Sequence, residues 1–208
     1  VINMALSKVD YNSLNVTAAA SKALKWNSSA DGFETGDLVG SLVLLETQTA
    51  SSSATLSFTS GIDSTYDTYV FKFINIHPQT DAQNFQVNFR DGGAAYDATK
   101  TSTAFQSYNV ESDGGGSGYT AGEDLAQGTG VQPLLADLGN DNDQNACGKL
   151  WLFNPASTTF TKHYMSEFSN MLNDDYMNLF VVGGYCNVTA AIDGVQFSMQ
   201  SGNIDAGT

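Results

Sequence analysis

Apolar and polar side chains alternate with a two-residue period through most of this chain, and no other feature restricts the fold as much. In residues 84–90, Phe85, Val87 and Phe89 alternate with Asn84, Gln86, Asn88 and Arg90. A strand turns successive side chains to opposite faces, so this pattern predicts a half-buried strand with one wet face. Residues 194–200 repeat it, with Val195, Phe197 and Met199 set against Gln196, Ser198 and Gln200. In residues 54–59, Leu56 and Phe58 oppose Thr55, Ser57 and Thr59. Residues 69–76 are apolar on both sides, with Tyr69, Phe71 and Phe73 on one and Val70, Ile74 and Ile76 on the other. That predicts a strand covered on both faces. Further strands are expected at 41–49, around Leu42, Val43, Leu44 and Leu45, and at 104–111, 149–153, 159–168 and 176–185. Turn formers such as Asp91-Gly92-Gly93, Asn154-Pro155 and Gly183-Gly184 separate these runs. Many strands, turns between them and no long helical period predict an all-β fold, a jelly-roll-like antiparallel β-sandwich.

A chain of 208 residues suits one such domain. Apolar residues make up 41% of it, enough for a buried core. Charged residues are only 14%, well under the usual quarter, and polarity comes from Ser, Thr, Asn and Gln instead. The net charge of -14 repels phosphates, which argues against nucleic acid and anionic membranes as partners. No apolar run approaches the roughly 20 residues that span a bilayer, so membrane insertion is not expected. Residues 1–12 lack a basic segment followed by an apolar one, so no signal peptide is expected.

Residues 1–40 read as an irregular N-terminal arm or docking segment, and residues 41–208 as the sandwich domain. Ala18, Ala19, Ala20 and the residues up to Leu24 suit one or two helical turns. Asp31-Gly32 and Thr35-Gly36-Asp37 are turn signals. Residues 113–146 form a glycine-rich, acidic insertion, with a helical turn expected near 123–127 or 133–138. Loops of this length carry function or simply connect strands.

Catalytic chemistry is weakly signalled. His77 precedes Pro78 at a strand end, His163 lies inside a strand, and no Gly-x-Ser-x-Gly occurs, so both histidines read as structural. Glu111, Glu123, Asp124, Glu167, Asp174 and Asp175 are candidate carboxylates for a polysaccharide-degrading enzyme, but no spacing nominates a pair. Asp141, Asp143 and Asn145 carry oxygen ligands at the alternate positions of a calcium loop. Ala146 and Leu152 stand where such a loop needs Gly and Glu, so a solvated acidic turn is the stronger expectation. Cys147 and Cys186 border apolar segments and read as buried, reduced thiols rather than a disulfide or a zinc site. Asn15, Asn27 and Asn187 begin triplets that match the glycosylation pattern. No catalytic, cofactor-binding or metal residue is assigned.

Six segments carry a resemblance: LVLLET at 42–47, SSSATLSFTSGIDSTY at 51–66, FINIHP at 73–78, DLGNDNDQ at 137–144, LFNPASTT at 152–159 and SGNIDAGT at 201–208. Over about residues 22–208 the chain resembles virion structural proteins of marine tailed bacteriophages, of the cyanophage and pelagiphage kind. Those proteins are commonly described as tail fibre or structural proteins. The resemblance implies a non-enzymatic virion protein without a cofactor, exposed on the particle as a homotrimer among other virion proteins. A tail fibre or knob that meets host-surface glycans is the first expectation, and a capsid decoration protein the second. Family members usually continue past the segment at 201–208 with one more apolar strand, so an unpaired edge is expected there. At the ionic strength of seawater the net charge would be well screened.

Overall fold

The computed structural model describes residues 22–36 and 42–208. The chain divides into two units, Val1–Leu45 and Glu46–Thr208. In the first, β1 (Ala23–Trp26) and β2 (Phe33–Gly36) form an antiparallel hairpin. Asn27 N donates to Gly32 O at 2.9 Å, and the Asn27 side chain bonds Asp31, which closes the turn near Asp31-Gly32. Trp26 and Phe33 are paired in register and stack at 4.4 Å. This part of residues 1–40 is therefore ordered strand rather than irregular arm. Ala23 and Leu24 are extended, not helical, because each has a cross-strand partner. Thr35 and Gly36 belong to β2 instead of a turn. Ala18, Ala19, Ala20 and Asp37 lie outside the described residues.

The second unit is all-β and antiparallel. Its strands are β3 (Ala50–Ser53), β4 (Leu56–Phe58), β5 (Thr68–Pro78), β6 (Gln83–Arg90), β7 (Lys100–Val110) and β8 (Gly115–Tyr119). They continue with β9 (Gln132–Leu138), β10 (Ala146–Phe153), β11 (Lys162–Met171), β12 (Tyr176–Cys186), β13 (Gly194–Met199) and β14 (Ile204–Gly207). Eight strands form one sheet in the order β3-β14-β5-β10-β11-β12-β7-β8, and four form the other in the order β4-β13-β6-β9. The sheets pack face to face as a sandwich. Phe73 of the larger sheet meets Phe85 and Phe197 of the smaller at 5.3 and 4.9 Å, and Phe89 meets Tyr164 at 5.1 Å.

Period-two order fills that interior. Along β11, Lys162, Tyr164, Ser166, Phe168 and Asn170 are buried while the residues between them are exposed. Polar groups sit at both ends of this face and aromatics at its centre. At one end the Asn178 amide donates to Asn170 Oδ1, and at the other Lys100, Cys186 and Lys162 lie side by side on three neighbouring strands.

Several expectations fail for physical reasons. Residues 42–49 belong to no strand, and Leu42 and Leu44 are 73% and 82% exposed. Their apolarity suits a strand, but a strand exists only with a partner for its backbone. In β5 the register slips opposite Cys147, where Ile74 and Asn75 face one residue of β10. Asn75 takes a left-handed φ of 55°. This bulge turns Ile76 into the core and leaves Ile74 58% exposed, so β5 is not covered on both faces.

The polar face of β6 is dry rather than wet, and Asn84, Gln86 and Asn88 are all buried. Partners from the 113–146 insertion account for this: Asn84 Nδ2 donates to Glu123 Oε2 at 2.8 Å, and Asn88 Nδ2 donates to Thr129 O at 3.3 Å. That insertion is no simple loop. It supplies β8 to the edge of the larger sheet and β9 to the edge of the smaller. Residues 133–138 are strand, not helix, with Leu134, Leu135 and Leu138 in the core. Pro133 is tolerated because β9 is an edge strand. Residues 123–127 are bends and coil. The final strand β14 is no free edge, since it lies between β3 and β5.

Candidate interaction surface

The outer face of the eight-stranded sheet is the widest feature of the second unit, and strand register fixes its composition. One row runs Lys72, Lys149, Glu167, Val181, Phe105, Tyr119 across six strands. The next runs Cys147, Ser169, Leu179, Ser107, Ser117. Another runs Val70, Trp151, Met165, Gly183, Thr103. Exposed apolar side chains recur over this face: Ile74, Phe105, Met165, Met177 and Leu179 are each about half exposed. Apolar groups repeated on one side of a sheet, among few charges, favour contact with another surface.

Charge is confined to part of the face. Lys149 Nζ lies 3.1 Å from Glu167 Oε1 and 5.2 Å from the centre of the Trp151 ring. With Lys72, Ile74, Cys147 and Leu179, Lys149 and Glu167 line a shallow depression of about 530 Å³. At the β8 edge, Phe105 and Tyr119 are cross-strand neighbours, and the Tyr119 hydroxyl donates to Asp124. The aspartate raises the Tyr119 pKa, because it stabilises the protonated phenol.

The carboxylates that suggested an enzyme are dispersed. Glu123 is half-buried against Asn84, and desolvation raises its pKa. Asp124 serves Tyr119 and Glu167 pairs with Lys149. Asp175 Oδ1 accepts from Gln144 Nε2 at 2.7 Å in the turn between β11 and β12, with the exposed Asp174 beside it. Glu111 follows β7 and is exposed.

The histidines are equally local. His77 bonds the Asp141 carbonyl and approaches Asp205, while His163 is exposed beside Tyr185.

Residues 141–145 form a turn pinned by the buried Gln144, whose Oε1 accepts from Asp141 N at 3.1 Å. Among the described residues, no three His, Cys, Asp or Glu side chains gather around a metal position. Both cysteines are free; Cys186 is buried as expected, but Cys147 is exposed because it faces the β5 bulge. Of the glycosylation triplets, Asn27 sits in the hairpin turn and Asn187 donates to Gln127 Oε1, while Asn15 lies outside the described residues.

Sequence reasoning missed the buried lysines. Lys100 and Lys162 are fully enclosed, and Lys162 Nζ donates to Val188 O at 2.8 Å. Desolvation lowers both lysine pKa values and pushes the Cys186 thiol up to about 12. The signal was present, since Lys162 falls in step with Tyr164 and Phe168. No protein-family model, curated protein or solved structure matches the chain.

Proposed function

We propose that this chain is a non-enzymatic structural protein of a bacteriophage virion, of the tail fibre or knob kind. It assembles as a homotrimer among other virion proteins on the particle exterior and meets host-surface glycans. The observation that carries this reading is the outer face of the larger sheet, with Ile74, Phe105, Met165, Met177 and Leu179 exposed together on a rigid support. The resemblance of six sequence segments to marine phage virion proteins agrees with it. A jelly-roll course is part of the proposal. Successive strands β4, β5, β6 and β7 alternate between the two sheets, as do β9 with β10 and β13 with β14. For the glycan, the exposed Tyr119 ring on the edge strand β8, with Asp124 beside it, offers a stacking surface at the rim of that face.

Sedimentation velocity of the full chain in high salt tests the assembly. The expected result is a trimer that persists as salt rises, because apolar contacts are not screened. L179D is expected to dissociate it into folded monomers. A wild-type chain that stays monomeric throughout the micromolar range contradicts the proposal.

A further inference from the structure

Lys100 and Asn88 make a contact that hydrogen bonding alone does not exhaust. Lys100 opens β7 in the larger sheet, and Asn88 lies near the end of β6 in the smaller. β9 pairs with β6 only as far as Val87, and Lys100 reaches Asn88 one residue beyond. Its Nζ lies 2.5 Å from Asn88 Oδ1 and 2.7 Å from Ala98 O. Both residues are buried, Lys100 at 0% exposure and Asn88 at 7%. Phe89 N donates to the same Asn88 Oδ1 at 3.0 Å, and Asn88 Nδ2 donates to Thr129 O at 3.3 Å. An amine is thus held against a carboxamide whose carbonyl is polarised by a backbone N–H, away from bulk water.

We propose that Lys100 and Asn88 are joined by an intramolecular isopeptide bond that ties the two sheets together. The neutral Nζ attacks Asn88 Cγ, and the charge that develops on Oδ1 is met by the Phe89 N–H. The new Nζ–Cγ amide forms as the Cγ–Nδ2 bond breaks. Nδ2 leaves as ammonia, taking one proton from the attacking nitrogen, so no oxidant, reductant or co-reactant is needed. Burial supports the first step: desolvation pushes the Lys100 amine down to about 8, which provides a nucleophilic fraction under mildly alkaline conditions. Cys186, Asp97 and Asp91 are the titratable groups whose charges reach it. Lys100 follows Asn88 by 12 positions, so the bond closes a short loop and fixes β6 of one sheet to β7 of the other, a tie suited to a protein under mechanical load.

Intact-mass measurement of the denatured full chain tests the bond. The expected value is about 17 Da below the sequence mass, the loss of one ammonia. K100M and N88A are each expected to show their full sequence mass. In a tryptic digest of the wild type, cleavage after Lys100 is lost, and the peptide 73–90 appears attached to 91–149. The full sequence mass in the wild type overturns the proposal. So does the same mass loss with a free 73–90 peptide and normal cleavage after Lys100, because an asparagine succinimide has then formed instead.

Discussion

Gly148 and Gly184 make the aromatic centre of the sandwich possible by what they lack. A Cβ on Gly148 would lie 2.4 Å from the Phe168 ring and 2.5 Å from Glu167 O, and one on Gly184 would lie 2.4 Å from the Tyr164 ring. In each case the ring fills the space over a neighbouring strand. Gly148→Ala must move a packed phenyl group and a backbone carbonyl together, so a loss of about 1–3 kcal/mol is expected from denaturant midpoints. Glu123 makes the second residue-scale prediction. Its folded pKa is raised by desolvation, so the folded state binds its proton more tightly than the unfolded chain. Its favourable contribution is therefore greatest below the ordinary carboxylate pKa and is lost as pH rises through the folded value. A glutamine at this position would keep an oxygen to accept from Asn84 while removing the charge. Glu123→Gln is expected to stabilise the fold at neutral pH by less than about 1 kcal/mol after solvent screening, with no gain at pH values below the carboxylate range. Thermal melts of both chains across that range check the sign.

At the scale of elements, the bulge in β5 decides which side chains enter the core. Asn75 adopts a φ of 55°, where asparagine and glycine are at ease and a β-branched residue is not. Asn75→Gly is expected to leave stability nearly unchanged, and Asn75→Val to cost about 1–2 kcal/mol, read from denaturant unfolding. Equal effects of the two substitutions would show that left-handed strain is not what sets this position.

The bulge also marks the limit of what the sequence discloses. β6, β7 and β10 to β13 were legible because long apolar alternation has one reading when a core lies on one side. β5 was legible as a strand, but not its slip, which depends on Cys147 opposite. β3 and β14 are short and poor in apolar residues, and β8 is glycine-rich, so pairing rather than side-chain pattern defines them. β9 is apolar on both faces and begins at Gln132-Pro133, which resembles a helix start as much as an edge strand. The wet face assigned to β6 failed because Asn84 and Asn88 find partners in a segment far along the chain. The outer apolar face was hidden for a similar reason. Phe105 and Leu179 fall in expected strands, but only register places them opposite Tyr119 and Ser169 on the outside.

For the molecule as a whole, the proposed role rests on the second unit, a two-sheet sandwich. Its interior is braced by interlocking aromatics and by polar groups with internal partners. Its widest face exposes apolar side chains, and its candidate carboxylates are dispersed rather than gathered at one site. These properties suit repeated copies in a particle, where a subunit must hold its shape. A density map of the phage particle proposed to carry this chain tests the proposed role most directly. The account predicts the two-sheet body in threefold copies on the particle exterior at the tail, with the outer face of the larger sheet against a neighbouring subunit. Hundreds of copies over the capsid would move the protein from attachment to decoration. A particle without this chain, or copies whose outer face meets only solvent, would contradict the account.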